Sequence, residues 1–364
     1  PGESPATFGD ALRRLSDQAT HVYVDQSRYW LGLHASVTRI AQDRAAQLER
    51  RPDDVHEEIV RRLREEQSAR GEFAKVHACP PSSGDVPDEQ DARLVILSPE
   101  HTHSAKSDDS PAMKVVKEML ERRASSPRLF RNTLVFLAPD RTRLTELESA
   151  VRQYLAWKSI HLEAETLNLD PFQSKQAATK CREADNTVGQ RIPETYQWLL
   201  TPGQGVTSDG RSDPHSPVEW TEIRLQGSDR LAARASRKLI NDGGLATRLA
   251  GTLLRMELDR VPLWRGESVS VRQLVDDFAQ YLYLPRLKSP QVLLDAIRDG
   301  VNRLTWQSEG FAYADSYDEK QKRFVGLSTL TLNHVVADGR SLVVSPDAAQ
   351  RQLSAAAAAT AGGG

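Results

Sequence analysis

The hydrophobic pattern is most regular between residues 128 and 160, where a short apolar run precedes a helical repeat. Residues 133–138 read TLVFLA, and polar residues or proline bound the run on both sides. A short run of this kind is typical of a strand buried on both faces. Apolar residues then recur every three or four positions, as in an amphipathic helix capped by Asp140 or Thr142. Strand and helix together predict half of a βαβ unit, and therefore a parallel or mixed α/β layer.

Further short apolar runs and amphipathic stretches surround this unit. Strands are predicted over about 73–79 and 93–97, and a helix is predicted over 111–123. Two charged helices over 37–66 are separated at Pro52. These elements predict a fold of the α/β (mixed α+β) class that contains a small three-layer α/β domain.

Two stretches have the pattern of a winged helix, in which helices are followed by an antiparallel hairpin. In residues 7–33 a short helical pattern precedes two aromatic, β-branched runs that flank a polar turn. In the last third, helices over 271–282 and 291–298 precede the apolar runs 311–314 and 324–327, which we expect to pair with each other. We therefore expect a winged-helix-like N-terminal tail and a helical C-terminal region with a winged-helix-like hairpin.

The clearest boundary is a stretch dense in Gly, Ser, Asp and Pro at residues 203–217. The chain starts at a proline and ends in an Ala/Gly run, so we expect a C-terminal piece of a longer protein. The predicted domains are a winged-helix-like tail at 1–36, an α/β domain with long helices at 37–202, a linker or mobile loop at 203–217, a helical and winged domain at 218–353, and a disordered Ala/Gly tail at 354–364.

Composition excludes some classes of protein and leaves others open. Charged residues make up 27% of the 364 residues, hydrophobic ones 39%, and the formal net charge is −2, as in a helix-rich globular protein. This charge gives no global sign of nucleic-acid binding, although a basic face can exist within a neutral sum. No apolar run approaches the ~20 residues of a membrane helix. The two cysteines, Cys79 and Cys181, form no disulfide framework, which favours a reducing cytoplasm.

The sequence lacks the common catalytic motifs. Nothing fits the phosphate-binding loop G-x-x-x-x-G-K-[ST], the dinucleotide fingerprint or the nucleophile elbow. His101 and His103 follow the strand predicted at 93–97, where α/β proteins bind ligands, and with Asp108 and Asp109 they are the candidates for a metal site. A solvated loop is the plainer alternative, and we predict no metal.

Arginines near predicted element ends are the remaining candidates for function. In a winged helix that binds DNA, arginines contact backbone phosphates; the candidates here are Arg13, Arg14 and Arg28. Arginines at the ends of the central strand could reach a phosphate, as trans-acting arginines do in oligomeric ATPases; these are Arg128, Arg131 and Arg143. The alternatives are a docking element with a solvated basic face, or pairing with carboxylates such as Glu146 and Glu148. No catalytic residue is predicted.

Several longer strings resemble a known family. The strings are TFGDALRRL, HVYVDQSRYWLGLHASVTRIAQDRA, LFRNTLVFLAPD, AVRQYLAWKSI, ETLNLDPFQSKQA, RIPETYQWLL, LRMELDRVPLWRG, DDFAQYLYLPRL and FAYADSYDE. They resemble bacterial ATPases of the group called domain of unknown function 499. Those proteins look AAA+-like, and PglY-type members belong to phage-growth-limitation (BREX) defence loci. The resemblance covers about residues 7–353.

The resemblance implies an accessory role for this chain. The family's ATP-binding motifs precede the segment that resembles it, and no family catalytic residue maps onto this sequence. We therefore expect the C-terminal accessory region of a cytoplasmic AAA+-like ATPase in anti-phage defence, with no cofactor of its own and with ATP and Mg bound by the parent protein. The expected roles are scaffolding, docking of other defence proteins, DNA contact and homo-oligomer formation, without a membrane. An independent hydrolase or nuclease that uses His101 and His103, and a winged-helix DNA-binding module, are the alternatives.

Overall fold

The computed structural model describes residues 9–11, 14–15, 22–25, 28–31, 36–205, 216–261 and 263–361. Within these residues the fold is mixed α/β, as predicted. Residues 9–11 and 14–15 are helical, and β1 (Val22–Asp25) and β2 (Arg28–Leu31) form an antiparallel hairpin, which agrees with the helix-and-hairpin pattern expected there. The two charged helices follow as α1 (Val37–Leu48) and α2 (Pro52–Glu65).

The remaining elements alternate between strands and helices. The middle of the chain contains β3 (Lys75–Ala78), β4 (Arg93–Ile96), α3 (Pro111–Glu121), β5 (Arg122–Arg123), β6 (Ser126–Pro127), β7 (Leu134–Ala138), α4 (Arg141–Leu162), α5 (Pro171–Thr195), β8 (Trp198–Gln204) and β9 (Val218–Arg224). The last third contains α6 (Leu231–Asn241), α7 (Gly251–Arg260), β10 (Ser268–Ser270), α8 (Val271–Gln280), α9 (Pro290–Val301), α10 (Trp306–Glu309), β11 (Ala312–Ala314), β12 (Ser316–Asp318), β13 (Arg323–Val325), β14 (Leu342–Val344) and α11 (Pro346–Ala361).

Contacts divide the chain into two compact units. The first consists of Pro1–Leu63 with Pro139–Tyr196, and the second of Arg64–Ala138 with Gln197–Gly364. This division does not coincide with the boundaries expected at 36, 202 and 217. The reason is that α4 and α5 lie between β7 and β8 in the sequence but belong to the first unit. The domain boundaries themselves stay predictions.

Apart from the β1–β2 hairpin, the described part of the first unit is helical, and its long helices begin with strong caps. The Asp140 carboxylate accepts hydrogen bonds from the backbone N–H groups of Thr142 and Arg143 at the start of α4. Asp170 and Gln173 form a capping box at the start of α5, and the following Pro171 occupies a position that needs no donor. α4 and α5 pack along each other, and α1 packs on α4. The small core between them consists of Val37, Ala41, Trp157, Ile160 and Ala177.

The second unit is built on a five-stranded mixed sheet in the order β3-β4-β7-β8-β9. β3, β4 and β7 are parallel, whereas β8 and β9 pair antiparallel at the edge. All positions of β4 and β7 are buried, as the continuous apolar runs predicted. On one face, α3 packs its Ala112, Met113 and Val116 against Val95, Phe136 and Leu200 of the sheet.

The C-terminal part of this unit has winged-helix connectivity. In sequence order, helix α7 and strand β10 are followed by the helices α8 and α9. Strand β11, the β12–β13 hairpin and strand β14 come next. β10, β11 and β14 form an antiparallel sheet in the order β10-β14-β11, so the last strand in the sequence lies between the other two. A single hydrophobic core joins helices and sheet, and includes Leu254, Phe278, Ile297, Phe311 and Val343. The expected winged-helix-like element is therefore present.

Two local predictions differ from the structure. Residues 311–314 and 324–327 were expected to pair. An antiparallel hairpin is present, but its ladder joins β12 to β13, it meets β11 at a bridge between Tyr313 and Ser328, and β11 pairs along its length with β14. Before α7, which starts at Gly251, Ala246 exchanges backbone hydrogen bonds with the 286–288 segment. α11 continues to Ala361, into the tail expected to be disordered, because alanine has the highest helix propensity.

Candidate functional site

The loop after β4 brings His103 between Ser110 and Glu222. Its Nδ1 lies 2.8 Å from Ser110 Oγ, and its Nε2 lies 3.3 Å from Glu222 Oε1 without a well-aligned hydrogen bond among the described residues. The ring also meets the Trp198 ring edge-on at a centroid distance of 5.5 Å. A hydroxyl, an imidazole and a carboxylate in this order form the kind of relay that serine hydrolases use.

Burial and bonding give this cluster a structural role. His103 is 0% exposed and Ser110 is 6% exposed, so both side chains lie in the interior. Ser110 Oγ also accepts the N–H of Met113 as the N-cap of α3, and Glu222 accepts the N–H of Lys106. The cluster therefore fixes the loop 98–110 between the start of α3 and the edge strand β9.

The metal hypothesis finds no support in the same loop. His101 lies apart from His103, half-buried, with its Nε2 3.7 Å from the neighbouring Glu100. Among the described residues, no three His, Cys, Asp or Glu side chains converge as ligands of a metal ion would. The solvated-loop interpretation fits His101, and burial against Trp198 accounts for His103.

The Arg128 side chain holds the loop at residues 83–87 in place through hydrogen bonds. It is 4% exposed, and its guanidinium donates to the carbonyl oxygens of Met119, Ser83, Val86 and Pro87. Burial lowers the pKa of Arg128, and the carboxylate of Asp88 at 3.9 Å partly offsets that shift. No donor of this group is directed at solvent, so the geometry does not favour a phosphate contact by Arg128.

The other two strand-end arginines lie in different surroundings. Arg131 is half-buried in the short turn Arg131–Thr133. Arg143 lies on α4 and donates to Glu146, which Arg191 of α5 also contacts at 2.9 Å. The pairing with Glu146 is the alternative that the sequence left open. A phosphate contact by Arg131 or Arg143 stays a prediction.

The N-terminal candidates lie at the limit of the described residues. Arg14 is an exposed helical residue, Arg28 is described only as the backbone of β2, and Arg13 lies outside the described residues. Their role in DNA contact stays a prediction.

At the end of the edge strand β3, the pKa values of Cys79 and His77 are both shifted in the direction that favours the neutral form. Burial raises the pKa of Cys79 to about 12, and its thiol points toward Leu97 O. Burial, together with the charges of Arg93 and Lys75, lowers the pKa of His77 to about 4. Neither a reactive thiolate nor a charged imidazole is present near pH 7. Cys181 is half-buried on α5, where burial also raises its pKa.

In DNA-binding helix-turn-helix proteins the second helix reads the groove, and α9 occupies that position here. Its exposed side chains are Gln291, Asp295, Arg298 and Asp299. Arg298 pairs with Asp295 at 3.2 Å, and Arg303 pairs with Asp299 at 2.9 Å. Burial alone raises the pKa of Asp299, but hydrogen bonds from the Gly251 N–H and from Arg303 outweigh it and lower that pKa, so the carboxylate is ionised at neutral pH.

The turn that precedes α9 is built into the interior of the second unit. Arg286 donates to the carbonyl oxygens of Asn132, Pro202 and Gly244 at 2.7, 2.8 and 3.2 Å. The Asn132 amide in turn donates to Phe278 O and Leu284 O. Burial lowers the pKa of Arg286 to about 10, which leaves it charged at neutral pH. None of residues 281–289 is fully exposed, so the turn joins the winged helix to the sheet.

The residues that organise these sites carried little signal in the sequence. Ser110 could have been found as an N-cap, because Pro111 follows it and a helix was predicted there. Glu222 and Arg286 are distant in sequence from their partners, so only the folded chain brings them together.

No described helix contains a stretch long and apolar enough to cross a membrane. Comparisons of the chain with protein-family models, with curated proteins and with solved structures find no match.

Proposed function

We propose that this chain is a non-catalytic accessory region of a cytoplasmic AAA+-like ATPase in bacterial anti-phage defence, where it serves as a scaffold that docks partner proteins. The resemblance to the domain-of-unknown-function-499 group supports the defence and ATPase parts of the proposal. The parent protein would bind ATP and Mg, and this chain would hold neither.

The scaffold part rests on one observation, the surroundings of α9. Duplex DNA attracts surfaces that present unpaired arginine or lysine, because phosphate contacts supply most of the affinity. The outward face of α9 carries Asp295 and Asp299, each already paired with an arginine, so it is charge-balanced. The turn before it is buried through Arg286. A neutral face fixed to the rest of the unit suits protein docking better than groove reading.

The first experiment compares ATP hydrolysis and nucleotide binding by this chain and by the longer protein that carries the ATP-binding motifs. Hydrolysis by the longer protein alone is the expected result. Nucleotide binding by the chain itself would overturn the proposal, and the loops after β4 and β7 would then be examined.

DNA contact is a second candidate, because a helical segment followed by the β1–β2 hairpin fits a winged-helix arrangement in the N-terminal tail. The test measures binding of duplex DNA by the chain at several salt concentrations, with fluorescence anisotropy as the readout. If the tail binds phosphates, joint replacement of Arg13, Arg14 and Arg28 by glutamine weakens binding and flattens the salt slope. Unchanged affinity would exclude these three residues.

The hydrolase alternative would depend on Ser110 beside His103. We expect Ser110→Ala to leave the hydrolysis of an activated ester at its background rate and to lower the free energy of unfolding by about 1 kcal/mol, as loss of an N-cap does. Ser270→Ala is the matched control, because Ser270 caps α8 without a side-chain hydrogen bond. Ester hydrolysis that depends on Ser110 would revive the enzyme hypothesis.

A further inference from the structure

The β5–β6 hairpin exposes two serines that follow a pair of arginines after one intervening alanine. Arg122 and Arg123 form β5, and every residue from 121 to 127 is exposed. The hairpin tip is Ala124 and Ser125, between the paired residues Arg123 and Ser126. Within the described part of the chain neither arginine forms an ion pair, so both guanidinium groups can contact an outside partner.

The hairpin is held closed by few interactions. β5 and β6 each have two residues, and Pro127 cannot donate a ladder hydrogen bond. Ala124 adopts a left-handed φ of 52° and donates its N–H to Ser83 Oγ at 3.1 Å. Isolated two-stranded hairpins are marginally stable, so the tip can open as an extended segment at low cost.

The base of the hairpin is fixed independently of its tip. The Arg128 N–H donates to Glu121 O at 2.8 Å, and the Arg128 side chain is anchored in the interior. Opening of residues 122–126 therefore leaves α3 and the loop around Arg128 in place.

The order Arg-Arg-Ala-Ser places guanidinium groups three and two residues before the Ser125 hydroxyl. A protein kinase with carboxylates along its substrate groove can pair with both arginines and so position this hydroxyl at the γ-phosphate. We propose that Ser125 is a phosphorylation site for a serine kinase that reads basic residues on the amino side of its target.

The reaction is an ordinary phosphoryl transfer from Mg·ATP. A bond forms between Ser125 Oγ and the γ-phosphorus, and the bond from that phosphorus to the β–γ bridging oxygen breaks. ADP leaves with the bridging oxygen, and the serine proton passes to a carboxylate of the kinase and then to solvent. The product carries a phosphate of charge about −1.5 to −2 beside Arg122 and Arg123, which can pair with it. The two arginine charges are then largely neutralised, and the hairpin changes from a basic surface to a nearly neutral one.

The test incubates the folded chain with Mg·ATP and the catalytic subunit of a cAMP-dependent protein kinase, and locates phosphate by peptide mass spectrometry. The same spacing recurs at Arg13, Arg14 and Ser16, of which Arg13 and Ser16 lie outside the described residues. The assay therefore uses Ser16→Ala as the background. A synthetic peptide of residues 119–130 is the positive control for the sequence itself.

We expect one phosphate on Ser125 that is lost in Ser125→Ala and kept in Ser126→Ala. Replacing Arg122 and Arg123 by glutamine should slow the transfer at least about tenfold, since charge-assisted contacts to the kinase are lost. Thermal unfolding of these variants should match that of the background chain. The proposal is overturned if the peptide is phosphorylated but the folded chain is not, if phosphate is found on Ser126, or if neither substrate reacts.

Discussion

Arg62 lies over the ring of Tyr154, with its guanidinium carbon 4.5 Å from the ring centroid. The same guanidinium donates to the carboxylates of Glu58 and Asp185. One side chain thus joins α2, α4 and α5 in the first unit, whose apolar core is small. Glu58 is only 6% exposed; burial alone raises its pKa, but hydrogen bonds from Arg61 and Arg62 outweigh it and lower that pKa.

Replacing Arg62 by methionine should strongly destabilise the first unit. The change keeps the apolar stem but removes the Tyr154 contact and leaves Glu58 with only one arginine partner, the more exposed Arg61. Breaking a buried ion pair costs about 3–5 kcal/mol, and the remaining partner brings the expected loss to about 2–3 kcal/mol. Urea unfolding monitored by helical circular dichroism measures it.

Lys180→Met is the control for this prediction. Lys180 also pairs with a carboxylate, that of Glu183 at 2.8 Å, but both side chains are exposed, so the expected loss is below about 0.5 kcal/mol. Equal losses in the two variants would contradict the importance of the Arg62 network.

Because of His77, the stability of the chain should fall as the pH is lowered from about 6.5 toward 4. Its pKa is about 4 in the folded chain and 6.5 as the ordinary value, so the unfolded chain takes up a proton that the folded chain refuses. The stabilisation is therefore complete above about pH 6.5 and is lost as pH falls toward 4. His77→Gln should reduce the slope of unfolding free energy against pH in that window.

The matched change for His77 is His334→Gln, because the His334 ring is exposed. This variant controls for the replacement of a histidine by glutamine at an exposed position. If the slope is the same in all three proteins, His77 is not the group responsible.

Gly300 tests the packing of the winged helix. A Cβ at this position of α9 would meet the Phe311 ring at 2.5 Å, and Gly251 and Gly310 also approach its backbone closely. The ring is fully buried. Gly300→Ala should therefore cost about 1–3 kcal/mol despite the higher helix propensity of alanine. Thermal unfolding gives the measurement.

Gly189→Ala is the comparison for Gly300→Ala, because Gly189 also lies within a helix but has open space around its Cα. There the same substitution should stabilise the chain by about 0.5–1 kcal/mol. Opposite signs at the two positions are expected; destabilisation of similar size at both would show that close packing at Gly300 is not the cause.

The elements that the sequence predicted well are those with local causes. β7 has a continuous apolar run, and α4 begins at Asp140, whose side chain caps the first turn, so a short window of residues was sufficient. The pairing of β11 depended on a strand about thirty residues away, β14, and the nearer run at 324–327 offered an equally apolar partner. Local pattern cannot decide between two such partners.

The candidate sites show the same limit. His103 was noticed in the sequence as one of two histidines in a polar loop, but its contact with Glu222 arises only when β9 pairs beside β8. Arg128 was noticed as a charge at a strand end. Its burial depends on hydrogen bonds to carbonyl groups of residues 83–87, and no pattern in the sequence indicated how those carbonyl groups point.

Asn132 should couple the winged helix to the sheet. Asn132→Ala removes both donors to Phe278 O and Leu284 O, and these carbonyl groups are then buried without a partner. Each such group costs about 1–3 kcal/mol, so a loss of about 2–4 kcal/mol is expected. Amide hydrogen exchange should rise in α8, in the turn before α9 and at the start of β7 together.

Asn302→Ala is the control for this prediction. It removes two hydrogen bonds to the backbone of Leu332, within the winged helix itself, so exchange should rise there while β7 stays protected. Faster exchange in α8 with an unchanged β7 in Asn132→Ala would mean that the two parts open independently.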